Sequence, residues 1–131
     1  CLTDYFGEND IVAFQCVTVG NRVTEIIDQW NKENLYTDAY YLHGLAVETA
    51  EALADWINLR IKNELKIDNN RGLRYSWGYP SCPDILQHRL VWKILDPSKS
   101  GMNLTEAGQI IPDQSTAAIV VHHPDAEYFV L

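Results

Sequence analysis

The sequence predicts an α+β domain in which helices flank an antiparallel sheet. Three observations lead there. Strand-like runs lie near both ends of the chain, segments of helical periodicity are grouped between them, and no Gly-rich nucleotide fingerprint, P-loop or internal repeat breaks the pattern. At 131 residues, 47% of them apolar, the chain is one domain's worth of sequence and can bury a core.

Residues 10–19 are rich in β-branched and aromatic side chains (Ile11, Val12, Phe14, Val17, Thr18, Val19), and Gly20 closes them; this reads as a buried strand. From Arg22 to Asn34, Val23, Ile26, Ile27 and Trp30 fall at helical spacing. Thr37 or Asp38 can cap a longer helix running to about Leu65. Its expected buried face carries Leu42, Leu45, Ala46, Thr49, Leu53, Trp56 and Ile57, and its opposite face carries Glu48, Glu51 and Asp55 in line with Gly44. Residues 66–83 are turn-rich yet aromatic and read as a long loop. Pro83 then opens a helix that runs through Leu95, and Asp96-Pro97 ends it. Strand-like runs at about 103–111, 115–122 and 127–131 close the chain, separated by the turn signals Pro112-Asp113 and Pro124-Asp125. The opening at Cys1 without a Met and the stop at Leu131 inside an apolar run suggest a piece cut from something longer.

Composition excludes several classes. Ten Lys and Arg against eighteen Asp and Glu give a net charge of -8, which argues against nucleic acid, whose phosphates call for clustered basic residues. No apolar run reaches the roughly 20 residues that span a bilayer, and the first residues lack both the basic start and the apolar core of a secretory signal. Three scattered cysteines without a CxxC suit a reducing compartment, so the cytoplasm is expected.

Most chemistry-bearing residues have an ordinary structural reading. His122 and His123 are adjacent, so on a strand they would point to opposite faces, and no third ligand stands at metal spacing. His43 beside Gly44 reads as structural. Cys82, between Ser81 and Pro83, has no base nearby and reads as packing. No catalytic residue is expected. The segment Arg74-Tyr75-Ser76-Trp77-Gly78-Tyr79-Pro80 differs, because a guanidinium and three rings surround a flexible Gly. Such a loop can grip a carboxylate while rings cover a flat heterocycle; equally, its rings can plug a gap in the core. The acidic stripe Glu48, Glu51, Asp55 is open to two readings as well, a solvated face or part of a site.

These segments also carry a family resemblance. Tyr41–Ala54 resembles the long helix of the activation domain of cobalamin-dependent methionine synthases. Arg74-x-x-x-Gly78-Tyr79-Pro80-x-Cys82-Pro83 resembles that domain's signature loop. Leu104-Thr105-Glu106, Pro112, and His123-Pro124-Asp125-Ala126-x-Tyr128-Phe129 are similar to its closing strands in order and spacing.

The resemblance implies a C-shaped α+β domain, with a bent antiparallel sheet, spanning residues 1–131. Such a domain holds S-adenosylmethionine and docks over the cobalamin of a neighbouring domain of the same enzyme. There, an electron from a flavodoxin-like donor and a methyl group from adenosylmethionine restore a cobalt centre that has been oxidised out of turnover. The full enzyme passes a methyl group from methyltetrahydrofolate to homocysteine. Carried over by position, Arg74 holds the ligand carboxylate, Tyr79 sits where ligand meets corrinoid, Glu51 faces the cationic side while Glu48 and Asp55 keep the solvated reading, and Tyr128 closes the pocket. Ser76 and Asp68 complete the implied set. The chain departs from some relatives in having Tyr75-Ser76-Trp77 for Pro-Ala-Pro and Ser115-Thr116-Ala117-Ala118 for Ser-Val-Ser-Gly, and the family's ligand-binding Asp lies ahead of Cys1. A reactivator of another corrinoid protein, or a ligand-free domain docking a basic partner on its acidic helix face, would share many of these features.

Overall fold

The computed structural model describes residues 1–68 and 71–128. Its elements run β1 (Ala13–Thr18), α1 (Arg22–Lys32), α2 (Tyr36–Glu64), β2 (Leu73–Ser76), α3 (His88–Leu95), β3 (Asn103–Leu104), β4 (Ile110–Ile111) and β5 (Ser115–Val121), with short 3₁₀ turns at Leu2–Tyr5, Ile85–Gln87 and Pro97–Ser100. Helices lie between the outer strands, and every strand pairing is antiparallel. The α+β expectation therefore holds.

β5 is the central strand of an open sheet ordered β1-β5-β2. Its run Ala117, Ala118, Val120 and Val121 is buried, which suits a strand paired on both edges and covered by a helix. β1 pairs with it from Ala13 opposite Val120 to Thr18 opposite Ser115, and β2 from Leu73 opposite Val121 to Ser76 opposite Ala118. α2 packs on β1 and β5, and α1 packs along α2.

The buried face of α2 is only partly the expected one, which Ala46 shares and on which Leu42 and Ile57 are half-buried. Ala39, Ala46, Ala50 and Ala54 turn inward, whereas Leu45 and Trp56 are 66% and 55% exposed. Both stripes have helical spacing, so periodicity cannot rank them. The alanine stripe lets the helix axis approach the sheet closely, and tight packing of the backbone on β1 and β5 outweighs burial of the bulkier side chains.

Three further boundaries differ from expectation. The stretch read as a loop contains β2, a strand whose Arg and Ser give little propensity signal and which forms through pairing with β5. The run at 103–111 is two strands, β3 and β4, folded into a separate hairpin about a turn in which Gly108 N–H and Gln109 N–H donate to the carbonyl and hydroxyl of Thr105. Pro83 does not open the α-helix: Asp84 caps the 3₁₀ turn by accepting from Leu86 N–H at 3.0 Å, and α3 starts at His88. Asp96 does end α3, in a left-handed conformation at φ 49°. In the run at 127–131, Glu127 and Tyr128 are not strand, and Phe129–Leu131 lie outside the described residues.

Candidate functional site

β2 and the turn after it form one wall of a cavity of about 440 Å³, a size usual for small-molecule sites. Arg74, Tyr75 and Ser76 come from β2, and Tyr79, Pro80 and Ser81 from the turn. Glu51 reaches in from α2, and Tyr128 closes the side. The turn is held by Gly78 N–H donating to Cys82 O and Cys82 N–H to Tyr79 O, each at 2.8 Å.

The strand places Arg74 because Gly72 lets the chain enter the sheet. Gly72 has φ +75°, and a Cβ there would stand 2.2 Å from Val121 O. The buried Lys62 on α2 donates from Nζ to Gly72 O at 2.9 Å, tying the helix to the start of the strand. Burial pushes the Lys62 ammonium below its ordinary value, partly offset by the negative charge of Asp68.

The electrostatic centre of the site is Arg74, whose side chain is 13% exposed. Nη2 donates to Glu51 Oε2 at 2.8 Å and to Asp55 Oδ1 at 3.1 Å, and Nη1 donates to Ser76 Oγ at 3.3 Å. Burial works against the guanidinium charge, but Glu51 and then Asp55 outweigh it and hold the group above the ordinary arginine value. One cation among two carboxylates leaves the cluster net negative, which favours a cationic ligand beside it.

The three rings of the segment separate into different roles. Tyr75 is 2% exposed; it is a core residue that also forms the back wall, with its hydroxyl donating to Glu127 O at 2.6 Å. Burial foremost, with Tyr5 and Tyr128 adding, pushes its phenol well above the usual range, so it stays protonated. Trp77 turns away to the 3₁₀ turn ahead of α3, donating from Nε1 to Gln87 Oε1 at 3.1 Å. Tyr79 is 62% exposed at the mouth. Tyr128 packs edge-on against Tyr75 and donates to Arg74 O at 3.1 Å. The rings lining the cavity thus differ in burial: Tyr75 fills the core, while Tyr79 and Tyr128 stand exposed.

Of the residues expected at the site, the structure gathers Glu51, Arg74, Ser76, Tyr79 and Tyr128. Asp68 is not among the lining residues; it is exposed in the turn after α2. Asp55, read as a solvated residue, joins the Arg74 cluster. Its signal was available: Glu51 and Asp55 are four apart and share a helix face. Glu48 is exposed, and the carboxylates that meet Arg74 are those of Glu51 and Asp55. Cys82 is buried, and burial raises its thiol, with Asp84 adding, which is opposite to activation. The described residues that line the cavity offer the Glu51 carboxylate, the Arg74 guanidinium and serine and tyrosine hydroxyls, a set able to hold a polar, charged ligand.

Comparison with known proteins bears on this geometry. The relatives are long: the chain is 34% identical over 142 aligned positions to a methionine synthase of Mycobacterium tuberculosis and, equally, to one of Mycobacterium leprae, covering 94% of this chain but 12% of each relative. A solved structure of the MetH reactivation domain bound to AdoHcy has a TM-score of 0.89 and 26% identity, covering 99% of this chain and 46% of that one. A family model described as vitamin B12 dependent methionine synthase, activation domain, matches residues 1–131. With fold and full-length match in agreement, the chain belongs to the family of vitamin B12 dependent methionine synthase activation domains.

Proposed function

We propose that this domain binds S-adenosylmethionine in the Arg74 cavity and presents its methyl group to cobalamin held by a neighbouring domain of the same enzyme, for reductive reactivation. The observation that carries the reading is a guanidinium flanked by two carboxylates at the edge of an aromatic-walled cavity. The AdoHcy bound by the similar reactivation domain supports it.

The residues fit the ligand's inventory. Arg74 matches its carboxylate by charge-assisted hydrogen bonds, and Glu51 faces its ammonium or sulfonium. Tyr75, Tyr79 and Tyr128 offer faces and edges to the adenine. Ser76 Oγ steadies the guanidinium. Asp68 bears on the site through the charge it sets beside Lys62. Bound adenosylmethionine supplies an already electrophilic methyl group, so the protein's task is orientation and water exclusion at the exposed Tyr79 rim, where the corrinoid would dock. In this reading the whole enzyme, a cytoplasmic methyltransferase, moves a methyl group from methyltetrahydrofolate to homocysteine, with a flavodoxin-like protein as electron donor for repair.

The test is calorimetric titration of adenosylmethionine and S-adenosylhomocysteine into the 131-residue chain. Saturable binding should weaken by about 1.5–3 kcal/mol, roughly 10- to 150-fold, in Arg74→Ala. Equal affinity in that variant, or no binding even with flanking polypeptide restored, would sink the reading.

A further inference from the structure

We infer that Asp55 is a placeholder for the ligand's carboxylate, occupying the Arg74 guanidinium in the free domain and yielding it on binding. The inference rests on the adenosylmethionine reading of the cavity. Arg74 Nη2 carries two hydrogens, and both are committed, one to Glu51 and one to Asp55. A guanidinium grips a carboxylate bidentately along either its Nη1/Nη2 edge or its Nε/Nη2 edge. Both edges need Nη2, so one resident carboxylate has to leave.

Asp55 is the one placed to go. Its contact is the longer, 3.1 Å against 2.8 Å, and its side chain is 70% exposed against 42% for Glu51, so water can take it up at once. Glu51 lines the cavity while Asp55 stands outside it. Asp55 thus covers the Arg74 charge in the free domain and competes only with ligands that bring an anion. It sets specificity by opposing carboxylate-bearing ligands by a fixed factor, without touching the nucleoside end.

Two ligands separate this from other roles: S-adenosylhomocysteine, and 5′-methylthioadenosine, which has the same adenosine thioether but no amino-acid end. Asp55→Asn and Asp55→Ala should each bind S-adenosylhomocysteine about two- to fivefold tighter than the wild-type chain, the range set by an exposed ion pair. Affinity for methylthioadenosine should not change. Equal or weaker binding of S-adenosylhomocysteine in both variants would overturn the inference, as would a parallel change for both ligands. If wild-type binding is present and sensitive to Arg74→Ala, such a result removes the placeholder and leaves the site standing. If the wild-type chain binds neither ligand even with flanking polypeptide restored, the site and the placeholder fall together.

Discussion

Substituting Gly72 by Ala tests the link between fold and site most directly. At φ +75° a residue with a Cβ bears the strain of left-handed backbone, about 1–2 kcal/mol. The added Cβ would also stand 2.2 Å from Val121 O and 2.6 Å from His122 Cα, both backbone atoms of the strand that β2 must join and the residue after it. Neither can move without opening the pair Leu73–Val121, at a loss of one or two ladder hydrogen bonds, each worth about 0.5–1.5 kcal/mol net. The sum is about 3 kcal/mol, a large share of the roughly 5–15 kcal/mol that stabilises a domain. With a urea slope of about 2 kcal/mol/M the unfolding midpoint should fall by about 1.5 M. Gly44, inside α2, provides the opposite sign, because a Cβ added there would meet nothing within 4 Å and its backbone is ordinary helix. Gly44→Ala should raise stability by about 0.5–1 kcal/mol. Equal midpoints for the wild-type chain and Gly72→Ala would refute the claim that a close approach of β2 to β5 requires glycine.

Lys62→Met should leave Gly72 O short of its donor and cost about 1–3 kcal/mol in urea unfolding, with ligand affinity falling too because Arg74 is two residues further along the strand; Lys62→Arg, which restores a donor, should recover part of both, and equal stability in the Met variant would remove Lys62 from this role. The Asp10 carboxyl is held at about 2, below its ordinary 3.8, by N–H groups of Gly7 and Ile11 and then by His122, whose Nε2 lies 2.6 Å away. A depressed carboxyl contributes stability that is full above the unfolded pKa and is lost as pH falls through the folded one. The stability difference between the wild-type chain and Asp10→Asn should therefore shrink as pH falls from about 4 to 2; a difference that grows over that interval would contradict the geometry.

The sequence revealed the elements better than their faces. Val23, Ile26, Ile27 and Trp30 mark α1 because a single apolar stripe leaves no choice of phase. In α2 two stripes compete, and only the sheet shows that small residues belong inside. β2 has four residues, with Arg74 and Ser76 among them, and takes its conformation from β5. In the cavity, Arg74 and Tyr79 were legible from the guanidinium and rings of their segment, whereas Glu51 and Tyr128 came only through the family resemblance. Asp55 and Tyr75 were not placed there, since their roles depend on which atoms stand opposite. Whether an acid is solvated or paired is decided by a strand 19 residues away from it in sequence.

Tyr75 shows why this cavity cannot be separated from the rest of the fold. Its ring lies nearly parallel to that of Tyr5 at 6.5 Å and meets Tyr128 edge-on at 5.5 Å, while its hydroxyl reaches Glu127 O. Tyr5 in turn contacts the ring of His123, just beyond β5. The back wall of the cavity is thus where the first turn, β2 and the segment after β5 converge, three regions remote in sequence. None of these contacts needs to touch a ligand to govern its binding, because each fixes the ring against which the ligand would rest. By linkage, a ligand that bridges Glu51, Arg74 and Tyr128 would stabilise the same convergence, by an amount that grows with its concentration over Kd. Binding and the seating of β2 against β5 are then one equilibrium measured from two sides.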